Sequence, residues 1–224
     1  PVLTTSAKEV AGLWAKDAVL ESEGVRYTAV AGEETALVEL PIPGGFTVYN
    51  SLTVLGIARQ LGISLADCAA ALKDVQGVKG RIEVVPTPGT PYSVLIDYAH
   101  TPDGLDNICR TLKQCCAGRL VTLFGCGGDR DKTKRPLMGA IAASLSDYLV
   151  VTSDNPRTED PAAIIKDILV GLENSTTPYT VVENRVEAIR YAMDNARSGD
   201  VIILAGKGHE TYQIIGKEKF HMDE

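Results

Sequence analysis

From residue 93 onward the chain alternates short, near-continuous apolar runs with longer amphipathic stretches. The runs at 93–96, 120–124, 148–151, 179–182 and 201–204 carry almost no polar residues, the pattern of parallel strands covered on both faces. Between them, 103–116, 136–145, 160–172 and 185–197 are amphipathic and long enough for crossover helices. Strand and helix alternating in this way predict an α/β, Rossmann-like fold, with a mostly parallel sheet and helices on both faces. Right-handed crossovers place every strand C-terminus on one edge, where open α/β sheets bind ligands.

The first 85 residues follow a different pattern. Residues 25–30 and 35–40 read as adjacent strands joined by a turn at 31–34. A helix is expected over 50–61, with Leu52, Leu55, Ile57 and Leu61 at roughly helical spacing and Gly62 ending it. A second helix over 64–73 is capped by Ser64, with Asp67 three places on. The segment 86–91 holds three prolines, which cannot continue a helix or a central strand. A domain boundary is therefore expected near residue 86, dividing the chain into 1–85 and 86–224.

Composition narrows the classes. The 224 residues are 45% hydrophobic and 23% charged, with a net charge of −7 and no basic stripe; this describes ordinary globular material and argues against a nucleic-acid partner. No apolar run is long enough to cross a bilayer, and residues 1–20 lack a signal-peptide pattern, so no membrane insertion and a cytoplasmic location are expected. Cys68, Cys109, Cys115, Cys116 and Cys126 form no CxxC pair, which indicates neither a disulfide framework nor a zinc site. Only Cys126 lies in a suspicious loop.

The candidate chemistry gathers at the strand ends. The strand at 148–151 delivers Asp154, Asn155, Pro156 and Arg157, which offer a carboxylate and a guanidinium within one turn and suit an amino-acid ligand; taken alone, an ordinary strand-to-helix loop explains them equally well. The strand at 93–96 runs into Asp97 and His100, and that at 201–204 into Gly206, Lys207, Gly208, His209 and Glu210. The strand at 120–124 runs into a glycine-rich loop with Arg130 and Lys132. That loop is not GxGxxG, and GxxxxGK[ST] is absent; its glycines are expected to take positive φ and let the backbone approach a ligand. The strand at 179–182 ends in nothing notable.

Four segments carry a resemblance. DYAHTPDGL at 97–105, FGCGGDRDKTKRPLMG at 124–139, TSDNPRTEDP at 152–161 and AGKGHETYQ at 205–213 resemble, in order and spacing, the motifs of the Mur ligase family. The likeness is to its members that add meso-diaminopimelate to UDP-N-acetylmuramoyl-L-Ala-D-Glu. It covers residues 46–224, with GRIE at 80–83 included, and residues 1–45 match by position. It implies that 1–85 is the end of a central ATP-binding α/β domain and 86–224 an amino-acid-binding domain. The implied reaction belongs to peptidoglycan biosynthesis: ATP, with Mg2+, phosphorylates a carboxylate of the dipeptide, and an amine attacks the acyl phosphate. By the resemblance, Asn50, Arg81, Asp97 and His100 contact ATP, whereas Arg130, Asp154, Asn155, Pro156, Arg157, Gly206 and Glu210 hold meso-diaminopimelate. No metal ligand is implied in this segment. The family's phosphate loop and nucleotide-sugar domain lie upstream, which implies that this chain is inactive alone.

One position departs from the family pattern: Thr47 stands where an asparagine is usual. Diaminopimelate exceeds lysine by one carboxylate, so Arg157 and Arg130 are assigned to that group and Asp154 and Glu210 to ammonium groups. The general base is unassigned, with His209 and Glu210 as candidates. Rival readings are a lysine-adding Mur ligase, a folylpolyglutamate-type ligase, which shares the DYAHTP-like segment, and a non-catalytic amino-acid-binding module.

Overall fold

The computed structural model describes residues 3–224. The chain divides into two compact units, one ending at Gly77 and the other spanning Val78–Glu224.

The first unit is a four-stranded sheet with two helices: β1 (Thr5–Ser6), β2 (Leu13–Glu21), β3 (Gly24–Ala31), β4 (Glu34–Leu40), α1 (Gly45–Gln60) and α2 (Leu65–Lys73). The strands lie in chain order, β1 parallel to β2 and the rest antiparallel. β3 alternates as a half-buried strand must, turning Val25, Tyr27, Ala29 and Ala31 inward. Those side chains meet Leu52 and Leu55 of α1 and Leu65 of α2 in one core. Ser64 caps α2 as expected, accepting the Asp67 N–H at 3.1 Å. The helix expected to begin at residue 50 begins five residues earlier, because Gly44 at φ 103° turns the chain directly into it. Thr47 thus falls in its first turn, buried, its hydroxyl donating to the Pro43 carbonyl at 3.3 Å.

The second unit contains β5 (Glu83–Val85), β6 (Ser93–Asp97), α3 (Pro102–Lys113), β7 (Leu120–Phe124), α4 (Lys134–Leu145), β8 (Tyr148–Val151), α5 (Pro161–Val170), β9 (Tyr179–Val181), α6 (Arg185–Asp194), β10 (Val201–Ala205), β11 (Tyr212–Ile215) and β12 (Glu218–His221). Its six-stranded sheet has the order β5-β6-β10-β7-β8-β9, parallel except for β5. β6, β7 and β10 are buried along their whole length. Successive residues of β10 point to opposite faces: Val201, Ile203 and Ala205 pack with α3, α4 and α5, while Ile202 and Leu204 pack with α6. This is the mostly parallel α/β sheet covered on both faces. β9 differs from the expected doubly covered strand: it is an edge, with Tyr179 and Val181 exposed.

The units part at Gly77 and Val78, ahead of the proline-rich segment at 86–91. That segment connects β5 to β6 inside the second unit, because 83–85 pair antiparallel with β6 and the Ile82 N–H is held by Asp97. The last parallel strand, β10, inserts between β6 and β7, so the loop 206–210 emerges between the loops that follow those two strands. Among the described residues no helix is long and apolar enough to cross a membrane.

Candidate functional site

At the C-terminal edge of the parallel sheet, the loops after β7, β8 and β10 interlock. The glycines after β7 make this possible, by a route other than the one expected. None of Gly125, Gly127 and Gly128 has positive φ, and the left-handed residue there is Asp129 at 53°. What these glycines admit is the neighbouring chain: a Cβ on Gly125 would lie 2.3 Å from the Thr152 carbonyl oxygen, and one on Gly128 only 1.9 Å from that of Pro156. The Gly128 N–H donates to the Asn155 carbonyl at 2.9 Å, and the Asp129 carboxylate accepts from the Thr158 amide and hydroxyl. The glycine-rich loop is thus a bracket for the segment 154–157.

Arg157 is held against its conformational preference. Its φ of 52° is left-handed, a costly region for a residue with a Cβ. The hairpin β11–β12 pins it there: the Arg157 N–H donates to the Ile214 carbonyl at 3.0 Å, and its carbonyl accepts the Gly216 N–H at 2.6 Å. Its Nη1 donates to the Gly128 carbonyl at 2.8 Å, which fixes the fork and leaves further guanidinium donors for a ligand. Arg130, in the adjoining loop, is exposed, with Nη1 on the Asp129 carbonyl at 2.9 Å.

Asp154 and Asn155 are buried. Asn155 bridges the loops, its Nδ2 donating to Glu210 Oε2 at 2.9 Å while its Oδ1 accepts from the Ile214 N–H and from Lys207. Asp154 Oδ1 lies 3.3 Å from Lys207 Nζ. Its Oδ2 would stand 3.1 Å from a Cβ on Gly206, and Gly206 also holds φ 116°, so this corner of β10 suits glycine on two counts.

The second cluster surrounds Tyr98. The Arg81 guanidinium stacks 4.9 Å above its ring, and the His100 and His209 rings lie 4.6 and 5.1 Å from it. Asp97 positions this group: one carboxylate oxygen accepts the Ile82 N–H at 2.9 Å, holding that residue at φ 47°, and the other accepts the Ala99 N–H at 2.8 Å. Burial pushes the Asp97 carboxyl above the usual aspartate range, against the pull of those two amides. Gly80 lets the turn ahead of β5 lie against the loop 206–210, since a Cβ there would sit 2.1 Å from the His209 nitrogen. Burial, reinforced by the Glu210 carboxylate, raises the Tyr98 phenol, and Asp154 adds to the effect. The two clusters therefore share one electrostatic environment.

Residues 80–208 match the family described as Mur ligase, glutamate ligase domain. The chain belongs to the Mur ligase family. A UDP-N-acetylmuramoyl-L-alanyl-D-glutamate--2,6-diaminopimelate ligase of Clostridioides difficile is 47% identical over 224 residues, 100% of this chain and 46% of that protein. The ligase of the same name from Caldanaerobacter subterraneus is 50% identical over 223 residues, with the same coverage. A solved structure of such a ligase superposes with a TM-score of 0.82 at 35% identity, over 99% of this chain and 45% of that one. This Mur ligase chain spans about half the length of the curated relatives it matches.

Of the residues singled out in the sequence, the second unit of the Mur ligase chain brings Asp154, Asn155, Pro156, Arg157, Gly206 and Glu210 into one wall, and Arg81, Asp97 and His100 into the other. Asn50 lies in the first unit, exposed on α1. Cys126 is no reactive thiol: it is buried with Sγ 3.7 Å from Met138 Sδ, and burial pushes it up to about 12. Sequence reasoning gave no role to Tyr98, Arg135 and Arg185, and named Lys207 only as a member of its loop. The last three are cations with 0–1% exposure, and the one sequence signal that could have found any of them is the apolar run 201–205 that leads into Lys207. Among the described residues no three His, Cys, Asp or Glu side chains converge as a metal set.

Proposed function

We propose that this chain supplies the amino-acid site and part of the ATP site of an ATP-dependent ligase that adds meso-diaminopimelate to UDP-N-acetylmuramoyl-L-Ala-D-Glu in peptidoglycan biosynthesis. The observation that carries the reading is the wall in which a strained, clamped Arg157 stands beside Arg130 while Asp154 and Glu210 face inward from neighbouring loops. Guanidinium forks match carboxylates, and buried carboxylates match ammonium groups. A zwitterion with a distal carboxylate satisfies both. The names of the relatives at 47% and 50% identity support the same ligand.

Arg81, stacked on Tyr98 beside His100 and His209, fits the nucleotide: a cation for phosphate and ring faces for a base. Asp97 orients this cluster through the backbone. Asn50 joins the ATP contacts on the resemblance alone. Holding the amine at the acyl carbon and neutralising charge on the transferring phosphoryl group is positioning and electrostatic work. Mg2+ accompanies ATP in this reading, and no step above is routed through it.

Parallel calorimetric titrations of the 224-residue chain with meso-diaminopimelate and L-lysine test the reading. The first should bind and the second should bind about tenfold or more weakly, the equivalent of roughly 1.4 kcal/mol for an arginine left without its carboxylate. Arg157→Ala should erase that difference. Equal affinity of the unaltered chain for both ligands would sink the assignment.

A further inference from the structure

The ammonium of Lys207 lies inside the pair of carboxylates that the proposed function reserves for the ligand. Its side chain has no solvent exposure, and Nζ stands 3.3 Å from Asp154 Oδ1 and 3.6 Å from Glu210 Oε2. It also donates to Asn155 Oδ1 at 3.1 Å and to the Tyr212 carbonyl at 2.7 Å. An ammonium has three N–H donors, and Asp154, Asn155 and Tyr212 use all three. Lys207 therefore has nothing left to offer a ligand directly. A charge this deep costs heavily in desolvation and persists only where its partners compensate. Those partners come from three segments: the loop after β8, the loop after β10, and β11.

The charge balance gives the consequence. Asp154 and Glu210 bring two negative charges and Lys207 one positive, so the trio is left one cation short. We propose that Lys207 is a positioning residue of the amino-acid site, an internal counter-ion that aims Asp154 and Glu210 and leaves a single negative charge, so that the pair takes up one ligand ammonium. This rests on the reading of the wall as an amino-acid site. Other groups face the same carboxylates. Arg185 on α6 donates to the Ala205 carbonyl at 3.0 Å and interacts electrostatically with Glu224, Asp154 and Glu210. Tyr98 and Tyr212 approach from the loop after β6 and from β11, and Arg157 bounds the wall through Gly128.

The test compares the full 224-residue chain with Lys207→Met and Lys207→Arg. Without ligand, the Asp154 and Glu210 side-chain carboxyls are titrated by 13C NMR. In Lys207→Met the two carboxylates lose their common counter-ion, so at least one midpoint should rise by about one pH unit or more. In Lys207→Arg both should stay near the unaltered values. Calorimetry should show meso-diaminopimelate bound about tenfold or more weakly by Lys207→Met, with the acid-side loss of binding moved to higher pH. A Lys207→Met chain that fails to fold is replaced by Lys207→Met combined with Asp154→Asn, which removes one charge of each sign and should fold yet bind weakly. Binding by the unaltered chain with midpoints and affinity unmoved in every variant overturns the role of Lys207 alone. An unaltered chain that binds no meso-diaminopimelate overturns the functional reading, and this role with it.

Discussion

Glu159 shows how much of the loop interlock hangs on single charges. Its carboxylate accepts from Arg135 Nη2 and Nη1 at 2.8 and 3.1 Å and from the Asp129 N–H at 2.6 Å, with Lys132 Nζ at 3.1 Å. The Arg135 hydrogen bonds, then the Asp129 amide, hold its carboxyl down to about 2. Because that lies below the unfolded value near 4.5, the folded chain binds the proton less readily than the unfolded one. The stabilisation is thus fully present above about pH 4.5 and is lost as pH falls toward 2. Urea unfolding of the unaltered chain and of Glu159→Gln, followed from pH 6 to pH 3, should show a stability gap that is constant down to about pH 4.5 and narrows below it. A gap independent of pH would mean that the Arg135 pairing contributes nothing through charge. Arg135 itself is fully buried, and its removal should be severe because it leaves the Glu159 carboxylate, 16% exposed, and that of Asp167 without their guanidinium.

Among the elements, the interlock between the loop after β7 and the segment 154–157 makes the wall one object, and Gly128→Ala probes it directly. The added methyl would meet the Pro156 carbonyl oxygen at 1.9 Å, so the two backbones must separate. We expect a loss of about 1 to 3 kcal/mol, the usual range for overpacking, together with loss of meso-diaminopimelate binding. Gly89→Ala is the control: at φ 81° with open space around it, it should cost about 1 kcal/mol from the left-handed backbone and leave binding intact. Equal binding by both variants would show that the bracket is not needed. These elements also mark what a sequence reveals. β6, β7, β8 and β10 were legible because burial on both faces leaves apolar runs with nothing to interrupt them. β2 was not: it carries Lys16 and Asp17, with a register shift between Lys16 and Val19 and Asp17 at φ 55°, so its alternation breaks midway. β5, β11 and β12 are edge or hairpin strands of three or four residues, partly or largely exposed. The β11–β12 hairpin nevertheless pins Arg157, a long-range pairing that no local pattern encodes. Asp154 and Arg157 stood out by residue type at a strand end, and Glu210 took its assignment from the family resemblance; Lys207 was visible as a member of the same loop set but its burial was not, because the partners that hold it come from distant segments.

On the scale of the whole molecule, the two units have separate cores. Leu13, Tyr27, Val38, Leu52, Leu55 and Leu65 centre the first, while two clusters on opposite faces of the six-stranded sheet fill the second. All the residues assigned to meso-diaminopimelate belong to Val78–Glu224. A ligand that binds only the folded form of one unit stabilises that unit by RT ln(1 + [L]/Kd), about 2.7 kcal/mol at a hundredfold excess over Kd. For a unit of this size that corresponds to a rise in melting temperature of roughly 5 to 10 °C. Differential scanning calorimetry of the 224-residue chain should therefore resolve two transitions, of which meso-diaminopimelate raises one and leaves the other in place. The second unit has the larger core and a six-stranded sheet, so the transition that moves should be the one with the larger enthalpy. Arg157→Ala and Lys207→Met should each reduce the shift without touching the smaller transition. If both transitions climbed together with ligand, the units would be folding as one cooperative body, and the assignment of the site to the second unit alone would fail.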